Sequence, residues 1–279
     1  MPELPEVETI RRSLQDRLIG ETLASGEMLW PRTLAAPGLA DFTARLPGQV
    51  IHSLGRRGKH LLIHLDQDTL IIHLRMSGDL RLEPGTDPLG APIPLQKHDR
   101  AVFNFFSRQR LVFIDPRKFG RVWLTNDPAS LLGALGPEPL ADNFTAGVLH
   151  QRLHAHQRQL KPLLLDQHFL AGMGNIYTDE ALHLAKLHPL RSSRSLGHTE
   201  SERLWQAIRQ VLEEGIRRNG ASIDWVYRGG SFQNNFQVYQ RTGETCLSCG
   251  SPIERILVGQ RGTHYCPVCQ PLPDKVHPD

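Results

Sequence analysis

No stretch of about 18 apolar residues, the length needed to cross a bilayer, occurs in the sequence. The chain is charged from Glu3, which argues against a secretory leader. Internal repeats and low-complexity segments are absent. Cysteine is scarce: four residues, all between 246 and 269, which excludes a disulfide framework and leaves one local thiol site. Net charge is only +3, although 14 histidines tilt the balance to the basic side, so an anionic partner is allowed without being required. These absences predict a cytoplasmic protein with no membrane contact. What is present suffices for a real core: 39% hydrophobic and 22% charged over 279 residues, room for two or three small domains.

Residues 50 to 125 read as β. "HLLIHL" and "TLIIHLRM" are strand-like runs joined by "DQDT", and "AVFNFF" and "RLVFID" follow a proline-rich loop at 84–94. The stretch 126–145, with three prolines and two glycines, reads as a connector, and beyond it the pattern turns helical. The clearest helix is predicted to start at Thr199 with a capping box to Glu202. Leu204, Ile208, Val211, Leu212 and Ile216 form its apolar face, and Asn219-Gly220 ends it. "FQVYQ" reads as a short strand leading into the cysteines.

Cys246 and Cys249, then Cys266 and Cys269, form two CxxC pairs separated by 16 residues. Each knuckle aims two thiolates at one point, and the residues between can fold back as a hairpin, so the pattern predicts one structural Zn2+ with no open coordination position. Arg261 falls on that hairpin, as an exposed arginine or a phosphate contact. In "LAGMGNIYTDEAL", Gly172 and Gly174 allow a tight turn and Asn175 stands where an N-cap is expected. The turn is either a plain helix hairpin or a set of amides that grips phosphate. "HQRLHAHQRQLK" (150–161) reads as a solvated charged face. In the N-terminal half, Lys59 sits where a strand begins, Met76 at a strand end, and Arg117 and Phe119 two residues apart. Met76 and Phe119 fit either a core or an apolar wedge beside a cation, the arrangement that opens a base step.

The opening "MPELPE" holds a further puzzle. Pro5 suits a first helical turn, Glu6 and Glu8 favour the positive helix end, and Val7, Ile10, Leu14 and Leu18 continue at helical spacing to Gly20. Pro2 and Glu3 are left without a structural job.

Taken together, "PELPEVET", "GRRGKHLL", "HLRMSG", "KHD" at 97–99, "DPRKFG", "LGPEPL", "LKPLLLDQ", "GMGNIYTDEAL" and "QRGTHYC" with its cysteines resemble the formamidopyrimidine-DNA glycosylase family of bacterial base-excision repair enzymes over about residues 2 to 270. The resemblance implies an α+β multidomain fold: an N-terminal β-sandwich flanked by helices (1–130), a helix–two-turn–helix domain (131–235), a zinc-finger β-hairpin (236–270) and a tail (271–279). It also implies a monomer acting on double-stranded DNA with a damaged base. Pro2, freed by removal of Met1, would be the nucleophile that forms a Schiff base and drives β/δ-elimination. Glu3 would move protons, and Lys59 and Arg261 would serve the two eliminations, with no organic cofactor. Met76, Arg117 and Phe119 match void-filling positions. His73, His98 and Asn175 match phosphate contacts, and His156 stands where the family often has Arg or Lys.

One departure bears on substrate. Segment 224–239 is shorter than the family's usual base-capping loop, so formamidopyrimidines and abasic sites are expected substrates ahead of 8-oxoguanine. The alternatives are an oxidised-pyrimidine glycosylase of the endonuclease VIII branch, against which the leucine of "PELPE" argues, and a damaged-DNA-binding protein without chemistry.

Overall fold

The first helix, α1 (Leu4–Leu18), follows the spacing in the sequence: Val7, Ile10, Leu14 and Leu18 are buried on one face, and Gly20, at φ +88°, turns the chain away. The computed structural model describes residues 1–222 and 229–272. They divide into two units, one of Met1–Ala134 with Ser222, Gly229 and Gly230, and one of Leu135–Ala221 with residues 231–272.

After α1 the first unit continues with β1 (Leu23–Met28), β2 (Leu34–Ala36), α2 (Leu39–Arg45), β3 (Ser53–Arg57), β4 (His60–His64) and β5 (Thr69–His73). Then follow β6 (Asp79–Pro84), β7 (Asp99–Phe105), β8 (Gln109–Ile114), β9 (Arg121–Thr125) and α3 (Pro128–Leu132). The strands form a four-stranded antiparallel sheet, β1-β7-β8-β6, and a five-stranded sheet, β2-β9-β5-β4-β3, in which only the β2–β9 pair is parallel. Alternate residues build the layer between them. Leu61 and Ile63 of β4 and Leu70 and Ile72 of β5 share one core cluster with Phe103 and Phe105 of β7 and Leu111 and Phe113 of β8. That period of two is what a sandwich requires. Val7, Ile10 and Leu14 of α1 and Phe42 of α2 complete the cluster.

The second unit holds α4 (Ala146–His154), α5 (Leu160–Leu165), α6 (Asn175–Leu184), α7 (His198–Arg217) and a hairpin of β10 (Glu254–Val258) and β11 (Arg261–Tyr265). The hairpin turns through Gly259 and Gln260, both at positive φ, as a two-residue turn demands. Glycine is required at Gly215 of α7, where a Cβ would stand 2.5 Å from the Tyr177 ring of α6.

Four sequence expectations are corrected. The helix expected at Thr199 starts at His198: Gly197 is the N-cap and donates its N–H to Glu200 Oε2 at 3.1 Å, while Arg191 holds the same carboxylate. "FQVYQ" is not a strand, because the N–H groups of Gln237, Val238 and Tyr239 all donate to the buried Glu180 carboxylate at 2.8–3.0 Å. Asn175 is the first residue of α6 and not its cap; Gly174 is, and the Asn175 amide is engaged elsewhere. The connector at 126–145 contains α3, capped by Asp127 Oδ1 on the Ser130 N–H.

Candidate functional site

At the start of α1, Pro2 and Glu3 are buried, Glu3 at 2% exposure, beside the half-exposed Met1. Glu6 folds back so that its carboxylate accepts the Glu3 N–H at 2.7 Å, fixing the backbone next to Pro2. Glu8 faces three arginines instead of serving the helix end alone. Burial opposes its ionisation, but hydrogen bonds from Arg11 and Arg12 and the charges of Arg11 and Arg56 bring its pKa down to about 2. Arg56 of β3 also donates to Gly58 O at 3.0 Å. Arg57 pairs with His60, so Gly58 and Lys59 are the two residues of the β3–β4 turn, and Glu8–Arg56 clips that hairpin to α1. Lys59 is buried there at 5% exposure.

Met76, Arg117 and Phe119 lie on two neighbouring sheet crossings. β5 ends with His73 opposite Arg121 of β9, and β6 begins with Asp79 opposite Ile114 of β8. Segments 74–78 and 115–120 therefore pass side by side between the sheets. Asp115, 1% exposed, knits them: it accepts the Gly120 N–H at 2.7 Å, the Arg117 N–H at 3.2 Å and the Ser77 hydroxyl. Glycine is needed at both corners, since a Cβ on Gly78 would meet Leu74 O at 2.5 Å and one on Gly120 the Phe113 ring at 2.2 Å. Held this way, Met76 and Phe119 stay 37% and 48% exposed, which rules out the core reading for both. Arg117 and Phe119 are not on one face of an extended strand; Lys118 between them sits at φ +61°. The turn nevertheless brings the Arg117 guanidinium 5.4 Å from the Phe119 ring centre.

Near the same crossing His73 is buried edge-on against His60, 4.6 Å between ring centres. Burial and the neighbouring His60 push its pKa to about 2, so it is neutral. Its Nδ1 accepts the Arg75 N–H at 2.9 Å, which puts the proton on Nε2. His98 is half-buried, its Nδ1 3.4 Å from Arg100 Nη2.

In the second unit one carbonyl organises the site. Gly262 O, next to the exposed Arg261, accepts from Asn175 Nδ2 at 3.0 Å and from Lys161 Nζ at 3.1 Å. Lys161 is fully buried and pairs with Asp179 at 2.5 Å, whose second oxygen takes the His264 N–H at 2.9 Å. Residues 175 and 179 share one face of α6, so that face carries the hairpin. His156, exposed, lies edge-on to Phe169 at 5.6 Å.

The four cysteine Sγ atoms lie within 4.8 Å of one another, with Cys246–Cys269 at 3.9 Å and Cys249–Cys266 at 3.4 Å. Four thiolates around a zinc ion at about 2.3 Å each stand roughly 3.8 Å apart, so the set fits a closed tetrahedral structural metal site. Backbone N–H groups of Ser248 and Cys269 point at Cys246 and Cys266 sulfurs at 3.4 Å, the kind of support a thiolate metal site has.

Three family models match along the chain. Residues 1–122 match the formamidopyrimidine-DNA glycosylase N-terminal domain, residues 135–226 the H2TH domain of the same family, and residues 243–272 a zinc finger found in FPG and IleRS. The chain belongs to the formamidopyrimidine-DNA glycosylase family. It is similar to the formamidopyrimidine-DNA glycosylases of Heliobacterium modesticaldum, 47% identical over 97% of this chain and 100% of that one, and of Herpetosiphon aurantiacus, 45% identical with the same coverage. Among solved structures it resembles Lactococcus lactis Fpg (MutM) bound to DNA containing N7-benzyl-Fapy-dG, with TM-score 0.89 and 39% identity over 97% of this chain and 100% of that chain. A structure of MutM with DNA containing carbocyclic 8-oxo-G follows at TM-score 0.88 and the same identity and coverage.

Within this family frame, the geometry joins Pro2 to Glu3, Met76 to Arg117 and Phe119, and Asn175 to the hairpin of Arg261. The short segment 224–239 cannot be assessed as a cap, since 223–228 lie outside the described residues. Sequence reasoning missed the residues behind these groupings: Asp115, Lys161, Asp179 and Glu180. Their one signal was an acid or lysine inside an otherwise apolar or turn-forming motif, "FIDPRKFG", "LKPLLL" and "NIYTDEAL".

Proposed function

We propose that this family member is a monomeric base-excision DNA glycosylase and abasic-site lyase that removes oxidised purines from double-stranded DNA, formamidopyrimidines ahead of 8-oxoguanine, with Pro2 as nucleophile. One observation carries the reading: the family match covers 97% of the chain, with Pro2 and Glu3 intact and buried at the start of α1. Removal of Met1 leaves Pro2 a secondary α-amine, and α-amines titrate near pH 8, so a useful fraction is unprotonated at neutral pH. The nitrogen lone pair bonds to C1′ as the base departs with its bonding electrons and gains a proton. Glu3 transfers a proton to the sugar ring oxygen as the ring opens to the iminium. Loss of a C2′ proton into that electron sink expels the 3′ phosphate, and a second elimination expels the 5′ phosphate, Lys59 and Arg261 serving the two ends. A base must leave the stack first. Met76 and Phe119 fill the gap, Arg117 faces the orphaned base, and His73, His98, His156 and Asn175 hold phosphates. The four cysteines hold one structural zinc ion that stiffens the Arg261 hairpin.

Borohydride trapping tests this on duplexes carrying a formamidopyrimidine, 8-oxoguanine opposite cytosine, or an abasic site, with Pro2→Gly and undamaged duplex as controls. Intact mass establishes that Met1 is gone. The expected result is a covalent adduct on every damaged duplex, lost in Pro2→Gly and weaker on 8-oxoguanine. No adduct on any substrate, with Met1 removed, refutes the enzyme and leaves a damage-binding protein.

A further inference from the structure

The histidine-rich stretch at 150–161 is not the plain solvated face its composition suggests. His150 and His154 lie one turn apart on α4, ring centres 4.1 Å apart, and His198 at the start of α7 stacks on His150 at 3.8 Å. Two histidines at i and i+4 of a helix project to the same side and form a natural chelate. The His154 tautomer is set for it, and the His150 partner permits it. His154 Nδ1 lies 3.1 Å from His150 O, a carbonyl that only accepts, so the proton is on Nδ1 and the Nε2 lone pair is bare. His150 Nδ1 lies 3.0 Å from the buried Ser201 hydroxyl, which accepts in the same way when Nε2 is used. Metal-binding histidines characteristically donate their second ring nitrogen to such an oxygen.

We infer that His150 and His154 form a second metal site, separate from the cysteines, for a divalent ion that prefers imidazole nitrogen, with His198 closing on it as a third ligand. The rings do not yet converge: among the described residues only the cysteines bring three or more donors together. Two imidazoles on one ion, each at about 2.0–2.1 Å, need to part by only about an ångström from their present separation. Zinc suits such a donor set. A bound ion would tie α4 to the first turn of α7.

The test starts from protein whose cysteine site is already zinc-loaded and titrates further Zn2+ by calorimetry at pH 7.5. We expect one additional equivalent, a rise in Tm with its loading, and shifts of the His150 and His154 Nε2 resonances. His154→Gln and His150→Gln should each weaken it at least tenfold, and His168→Gln, an exposed histidine elsewhere in the same unit, should not. Far-UV circular dichroism and retained cysteine-bound zinc confirm that the variants fold. Absence of the second equivalent overturns the inference. So does a second equivalent that survives both substitutions, or one that leaves the two imidazoles unshifted.

Discussion

Asp115→Ala should unhook both wedge loops at once. In the native protein the carboxylate accepts the Gly120 N–H at 2.7 Å and the Ser77 hydroxyl; the Arg117 N–H, at 3.2 Å, has a second acceptor in Ser77 Oγ at 3.3 Å. Hydrogen bonds to a charged group contribute about 1.5–3 kcal/mol each, and the two donors without a ready substitute give a loss of roughly 3–6 kcal/mol. Whole domains are stable by only about 5–15 kcal/mol, so the variant should melt well below the wild type at neutral pH. Ser77→Ala removes one donor and leaves the carboxylate its backbone partners, so it should cost about a third to a half as much. Urea unfolding measures the first effect. Affinity for a duplex with an abasic-site analogue, under conditions where the variant is still folded, measures the second: it should fall as Met76, Arg117 and Phe119 lose their common support. A stability loss below about 1 kcal/mol would show that the carboxylate is dispensable. A large loss with unchanged affinity would show that it stabilises the sandwich without positioning the wedge.

Lys161→Met leaves Asp179 buried without its cation, and breaking one side of a buried pair costs about 3–5 kcal/mol. The same change frees the Gly262 carbonyl from Lys161, so duplex affinity should fall with stability while zinc stays bound; zinc content and a salt titration of binding report both. Glu8 supplies an acid-sensitive increment. Its folded pKa of about 2 lies below the ordinary 4.5, so its contribution is complete above pH 4.5 and disappears as pH falls from there toward 2. Allowing for solvent screening, that is roughly 2–3 kcal/mol, and Glu8→Gln should remove this part of the acid slope in a series of urea melts between pH 2 and 6.

The elements that were legible are those whose pattern is local. The face of α1, the paired runs at β4–β5 and β7–β8, and the two CxxC knuckles all follow from spacing within a dozen or so residues, and each stands where spacing put it. The misreadings share a cause: a distant side chain took the hydrogen bonds that local pattern would have assigned to the backbone. "FQVYQ" has strand composition, but Glu180, some 57 residues earlier, takes three of its amides. Thr199 could have capped α7, but Glu200 is held by Arg191 in a position that fits Gly197 instead. The exposure of Met76 and Phe119 was equally invisible, since it depends on two sheet crossings running side by side. No one-dimensional pattern encodes that adjacency.

These distant side chains follow one physical rule. Glu6, Asp115, Asp179 and Glu180 are all buried acids, and each accepts backbone N–H groups from a segment that carries a site residue or leads into the hairpin. An amide is a fixed dipole that never titrates, so a buried carboxylate can hold a loop without recruiting an arginine from the surface. The cost falls on the acid: burial pushes the Glu180 carboxyl above its usual range, against the pull of its three amides, and Asp179 needs Lys161 beside it.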